Sequence, residues 1–179
     1  MQKPTAISRR VEQSALSAQN NDFEASLLHL FPAIDKTAQL RYPKDKVGPR
    51  FKKFLHDQHD IVSLIAFNNV INITHSGMTF PDAIYKLARN PLIHESELDK
   101  RITFNNECGL EISENHWNLP KSYILGLCIA VVVAPENRRE WINHSLSCRL
   151  WGCEYRINQL WARPDLIYDA LRQQTSLQR

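Results

Sequence analysis

The sequence predicts an all-α protein, a multi-helix bundle with one small β-hairpin insertion at about residues 102–113. Three observations lead there. Apolar residues recur at helical spacing through most of the chain. Residues 123–134, YILGLCIAVVVA, form an almost unbroken apolar run that suits a helix buried on most of its faces. Alternation with turn residues is concentrated around Ile102-Thr103-Phe104 and the run Gly109 to Ser113, joined by residues 105–108.

At the N-terminal end, residues 5–19 place Ile7, Val11, Ala15 and Leu16 on one helical face. Asn20, Asn21 and Asp22 break that helix, and Asp22 is the candidate cap of a second one reaching Tyr42. Pro32 kinks this second helix or lies near its boundary, and His29 sits at the edge of the core. A third helix spans about residues 48–69, with Phe51, Phe54 or Leu55, Val62, Ile65 and Ala66 inward. Residues 80–98 are amphipathic again. Residues 122–134 read as the buried helix, with the β-branched content of residues 129–133 leaving a strand open. Pro135 ends it, and a last helical region carries Trp141, Leu146, Leu150, Trp151, Ile157, Leu160 and Trp161, then residues 166–171. The tail from about residue 173 is expected to fray.

A length of 179 residues, without repeat or long linker, suits one domain spanning residues 1–179. Hydrophobic residues at 43% and charged residues at 23% are ordinary for a soluble globular protein. The net charge of +3 permits a nucleic-acid partner without requiring one. Four cysteines with no CxxC pair, and no apolar signal segment, point to a reduced cytoplasmic protein. The longest apolar run is short of the about 20 residues a membrane helix needs, so no membrane is expected. Only five glycines, with neither GxxxxGK[ST] nor GxGxxG, argue against Gly-rich phosphate loops.

Chemistry concentrates in Arg89-Asn90-Pro91-Leu92-Ile93-His94. Histidine exchanges a proton near neutrality, and arginine offers phosphate oxygens a planar fork of donors. Arg89 and His94 have four residues between them, with a polar residue directly after the arginine. This resembles the RxxxxH motif of the HEPN (higher eukaryotes and prokaryotes nucleotide-binding) superfamily, many of whose members are metal-independent ribonucleases. Asn90 matches the Asn, Asp or His often found there. A helical layout over roughly residues 22–140, with an apolar helix after the motif, is similar to HEPN architecture. The resemblance implies Arg89, Asn90 and His94 as catalytic residues. It implies a metal-independent endoribonuclease leaving 2′,3′-cyclic phosphate, with no metal and no cofactor. It also implies a homodimer in which two motifs face one cleft, and a role as a toxin or antiviral effector with an antitoxin or regulatory partner. The alternative is a non-catalytic module of the same kind, binding RNA, a nucleotide or a partner protein.

Other features compete for notice. Arg41, Lys44, Lys46, Arg50, Lys52 and Lys53 face one acid, Asp45, within residues 41–53. This is either a solvated face or a phosphate-contacting track, with Arg50, Lys52 and Lys53 as candidate RNA-binding residues. Glu95, Glu97 and Asp99 read as a solvated helix end. Arg139 and His144 repeat the motif spacing, but Trp141 and Ile142 between them suggest packing. His144, Cys148 and Cys153 lack a fourth zinc ligand, so the cysteines read as small core residues. Trp117, Tyr123 and Trp141 are base-stacking candidates or core. On a straight helix Arg89 and His94 lie about 140° apart, at roughly 100° per residue. Pro91 is a local cause for a bend, and Asn90 is either a site residue or the cap of a new turn.

Overall fold

The computed structural model describes residues 4–105 and 109–177. Helix α1 (Ala6–Gln19) is capped by Thr5, whose hydroxyl accepts from the Ile7 and Ser8 amides at 3.2 and 3.3 Å. Helix α2 (Phe23–Arg41) is capped by Asp22, which accepts from the Ala25 amide at 3.0 Å, as its residue type predicts. It runs through Pro32 unbroken. Leu28, whose carbonyl Pro32 cannot serve, lies on the exposed side. The single helix expected over residues 48–69 is two, α3 (Val47–Asp57) and α4 (His59–Phe67), parted at Gln58 with φ −96° and ψ 3°.

A hairpin of β1 (Thr74–His75) and β2 (Met78–Thr79) leads into α5 (Phe80–Ala83), a π-helical segment (Ile84–Arg89) and α6 (Asn90–His94). Three strands come next: β3 (Ile102–Phe104), β4 (Glu111–Ser113) and β5 (His116–Leu119). Helix α7 (Ser122–Val132) and a 3₁₀ turn (Pro135–Asn137) precede a second hairpin, β6 (Ser147–Leu150) and β7 (Cys153–Arg156). The chain closes with α8 (Ile157–Leu160) and α9 (Pro164–Leu177), so helix continues beyond residue 173.

The fold is therefore mixed, 57% helical and 13% strand in three small sheets, which corrects the all-α class. The insertion at 102–113 is also different from a simple hairpin. β3 and β4 do not pair; β5 lies between them, parallel to β3 and antiparallel to β4. Of the predicted turn, residues 106–108 lie outside the described residues. The two hairpins elsewhere have a common cause. Ser76 and Gly77 have φ 49° and 71°, and Trp151 and Gly152 have φ 50° and 83°. Two successive left-handed residues are the signature of the type I′ turn, whose twist matches paired strands. Around Trp151, apolar residues at spacings of four mimic a helix, and the turn overrides them.

Helix α7 is the centre of the core and settles the alternative left open by its β-branched residues. Tyr123, Ile124 and all residues from Gly126 to Val132 are buried. It packs against α4, α2, α1 and α8. At the α4 crossing a Cβ on Gly126 would stand 2.8 Å from the Val62 carbonyl oxygen and 3.1 Å from its Cα, so only glycine allows this approach. The buried Asn137 amide donates to the Val131 carbonyl at 2.7 Å and the Thr37 hydroxyl at 3.0 Å, tying the end of α7 to α2. Arg41 grips Glu136 through two bonds of 2.8 and 2.9 Å, reaches Asp57 at 2.9 Å, and lies over the Phe54 ring. Burial would push the Glu136 carboxyl up, but the Arg41 guanidinium outweighs it and holds the group below the usual carboxylate range. Among the described residues no helix is long and apolar enough to cross a membrane.

Gly126→Ala should lower unfolding free energy by about 1–3 kcal/mol, the range for overpacking against backbone. Chemical denaturation measures this; an unchanged midpoint would mean that α4 and α7 separate freely.

Candidate functional site

The segment carrying Arg89, Asn90 and His94 starts from a firm anchor. Thr79 and Asp82 form a capping box: the Thr79 hydroxyl accepts from the Asp82 amide, and the Asp82 carboxylate from the Thr79 amide, each at 3.4 Å. Phe80 is then buried among the rings of His59, Phe67, Trp117 and Tyr123, with centroids 5.6–5.9 Å away.

Pro91 shapes the turn around it. It has no N–H for the Leu87 carbonyl, and its ring would crowd that oxygen in an ordinary α-helix. The chain winds wider instead, and the Asn90 amide donates five residues back, to Tyr85. The freed Leu87 carbonyl accepts from the Asp99 amide at 3.0 Å. Asn90 has helical φ −67° and ψ −51°, and no side-chain bond caps α6, so Asn90 is not a cap. Its side-chain oxygen accepts from Arg89 Nη1 at 3.0 Å. The half-buried Arg89 guanidinium also lies over the Tyr85 ring, 5.6 Å from its centroid. Tyr85 in turn fits against Gly48, where a Cβ would stand 2.6 Å from the phenol oxygen.

His94 ends α6 and is exposed, next to Ile93 at 37% exposure. Ser96, with φ 63°, turns the chain away. The wide turn stops at Arg89, so the steps to His94 are α-helical and still rotate through about 140°. The structure joins Arg89 to Asn90 and leaves His94 on another face of the same chain. Leu92 is buried and belongs to the core.

The basic run is bound to carboxylates, most of them distant in sequence. Arg50 holds Asp35 through two bonds of 3.0 and 3.1 Å. Lys52 reaches Asp82 at 3.2 Å, and Lys53 reaches Asp45 at 2.6 Å. The Arg50 and Lys52 contacts fasten α3 to α2 and to the start of α5. Burial alone would raise the Asp82 carboxyl, but bonds from Thr79 and Lys52 hold it below the usual range. Asp99 is likewise lowered, by Arg101 donating to it.

The rival constellations resolve into structure. His144 Nδ1 is bonded to the Glu12 carboxylate, while Cys148 and Cys153 lie on β6 and β7. Among the described residues no three His, Cys, Asp or Glu side chains gather as metal ligands. Arg139 lies exposed in a loop rather than on a helix. Trp117 and Tyr123 are core residues. His29 is at the core edge, accepting from Arg10 at 3.1 Å, and burial followed by the Arg10 charge lowers its pKa. Tyr85 and the Asp99 amide, which support the site, carry no signal in the sequence that marks them for it. The Thr79-x-x-Asp82 spacing before an apolar run is a usable signal for the helix start.

The profile of the Rv1289 family matches residues 6–179. The chain belongs to the Rv1289 family. Among its relatives, the uncharacterized protein Rv1289 of Mycobacterium tuberculosis (strain H37Rv) is 27% identical over 173 residues, covering 82% of either chain. The uncharacterized protein Mb1320 of Mycobacterium bovis matches to the same extent. No solved structure matches. The Rv1289 family match takes in the whole motif segment, α7 and the closing hairpin together.

Lys52→Met should move the Asp82 carboxyl up toward its ordinary value of about 3.9. A depressed carboxylate stabilises the fold above its unfolded pKa, and that contribution disappears as pH falls through the folded value. The variant should therefore lose part of this acid-side dependence. Carboxyl-carbon NMR titration reads the change; an unmoved Asp82 would show that Thr79 alone sets it.

Proposed function

We propose that the chain is a metal-independent endoribonuclease of HEPN type, working in the cytoplasm, whose active site is completed by a second copy. The observation that carries this reading is the widened turn at Pro91. It holds Arg89 beside Asn90 and leaves His94 open at the helix end. Widened turns of this kind are frequent at functional sites.

The chemistry is attack by an RNA 2′-hydroxyl on the adjacent phosphorus. A base takes the hydroxyl proton, the 2′-oxygen bonds to phosphorus, and the 5′-oxygen leaves after receiving a proton. The products are a 2′,3′-cyclic phosphate and a 5′-hydroxyl. His94 is the proton-transfer group, and Arg89 supplies donors to the phosphate oxygens as charge builds on them. Asn90 fixes the guanidinium. One chain offers one imidazole where the reaction profits from two, and about 140° separates it from Arg89. A two-fold partner doubles the set, since such an interface sets the same patch opposite itself. Exposed Ile93 offers apolar contact beside His94, whereas Leu92 and most of α7 are spent on the core. A role as a toxin or antiviral effector, with an antitoxin or regulatory partner, belongs to the same proposal.

A second reading is a non-catalytic module binding RNA, a nucleotide or a partner protein. The carboxylates that hold Arg50, Lys52 and Lys53 favour its nucleotide- or protein-binding forms, because those cations already have partners where an RNA track would use them.

Purified protein should cleave RNA in EDTA and leave cyclic-phosphate ends. His94→Ala and Arg89→Ala should each reduce the rate by about 10²–10⁴. Cleavage that vanishes in EDTA and survives His94→Ala would overturn the ribonuclease reading. Binding without cleavage would select the second.

A further inference from the structure

We propose that the cleft between α1, α7 and β6 binds a fatty carboxylate, with its alkyl chain in the cleft and its head at Arg149. The site shares no residue with the motif segment and stands independently of the ribonuclease reading.

The cleft encloses about 390 Å³, within the range of small-molecule sites. Its walls are mainly aliphatic: Ala15 and Ala18 from α1, with Ile124 and Leu125 from α7. Several of its hydroxyls are already satisfied. Ser14 and Ser26 bond each other at 2.9 Å, and Ser122 donates to the Ala66 carbonyl at 2.9 Å. An occupant therefore meets surface with little unmet polarity, which favours a hydrocarbon chain over a polar ligand. Burial pushes the Cys128 thiol up to about 12 and Cys148 to about 11, so both are neutral at pH 7.

The charged residues of the lining are of one sign. Lys121 and Arg149 line the cleft, and no carboxylate does so among the described residues. Arg149 is exposed and has no ion pair among the described residues. Its cross-strand neighbour Glu154 accepts instead from the Ser147 hydroxyl at 2.8 Å. An apolar trough with cations in its lining fits an amphiphile with an anionic head. A carboxylate presents the pair of oxygens that a guanidinium fork matches.

Calorimetric titration at one chain length, below micelle formation, tests this with dodecanoate, dodecanol and dodecyltrimethylammonium as probes. Dodecanoate should bind one per chain. Arg149→Glu, on an exposed strand position, should weaken it about tenfold, the effect of one charge-assisted contact. Ala18→Trp, filling the cleft from a partly exposed wall, should abolish binding while thermal unfolding stays unchanged. The proposal is overturned if the ammonium or the alcohol binds as tightly as dodecanoate, or if Arg149→Glu has no effect. It is also overturned if dodecanoate is not taken up, whether the chain sediments as monomer or dimer.

Discussion

The approach of α7 to α4 at Gly126 is the contact on which the other elements depend. A helix buried on almost every face offers no solvated side, so everything around it is placed by the need to cover it. α4 takes the Gly126 face, the α1–α2 pair takes another, and α8 closes a third. The Ala162 amide bonds the Val132 carbonyl at 3.0 Å, which draws the end of the chain back to α7. Asn137 and the Arg41–Glu136 pair then lock the exit of α7 to α2. Each large side chain buried in this way contributes roughly 1.5–3 kcal/mol before entropy is subtracted.

How legible this is in the sequence depends on the range of the interaction. Asp22 as a cap, the span of α1 and the helical character of residues 122–132 are local properties, and periodicity and capping chemistry expose them. The strands are harder to see. Two-residue turns at Ser76-Gly77 and Trp151-Gly152 depend on left-handed backbone at a non-glycine residue, and neither carries the usual Asn-Gly signal. The insertion departs from expectation for a different reason. Parallel pairing of β3 with β5 skips a strand, so sequence adjacency points to the wrong partner. The motif-bearing stretch, residues 80–98, is itself anchored by residues of the α7 core, Phe80 packing on Tyr123.

Charge misleads in the same manner. The run from Arg41 to Lys53 is basic when counted along the chain, but Asp35, Asp82 and Glu136 meet it in space. A tally over neighbours in sequence cannot include acids contributed by other helices. Conversely, Arg89 and Asn90 are neighbours in both senses, and Pro91 explains why the turn they occupy is wide. His94 is the residue that neither sequence nor a single chain brings to them. Under the composite site proposed above, the fold would hold the permanent charge beside Asn90, and exposed His94 would meet it across an interface.

The specific activity of RNA cleavage in EDTA, followed against protein concentration with mass measured by sedimentation, tests that composite site most directly. Activity per chain should rise as dimer forms and level off once dimerisation is complete. Cleavage at constant specific activity by a strict monomer would contradict it.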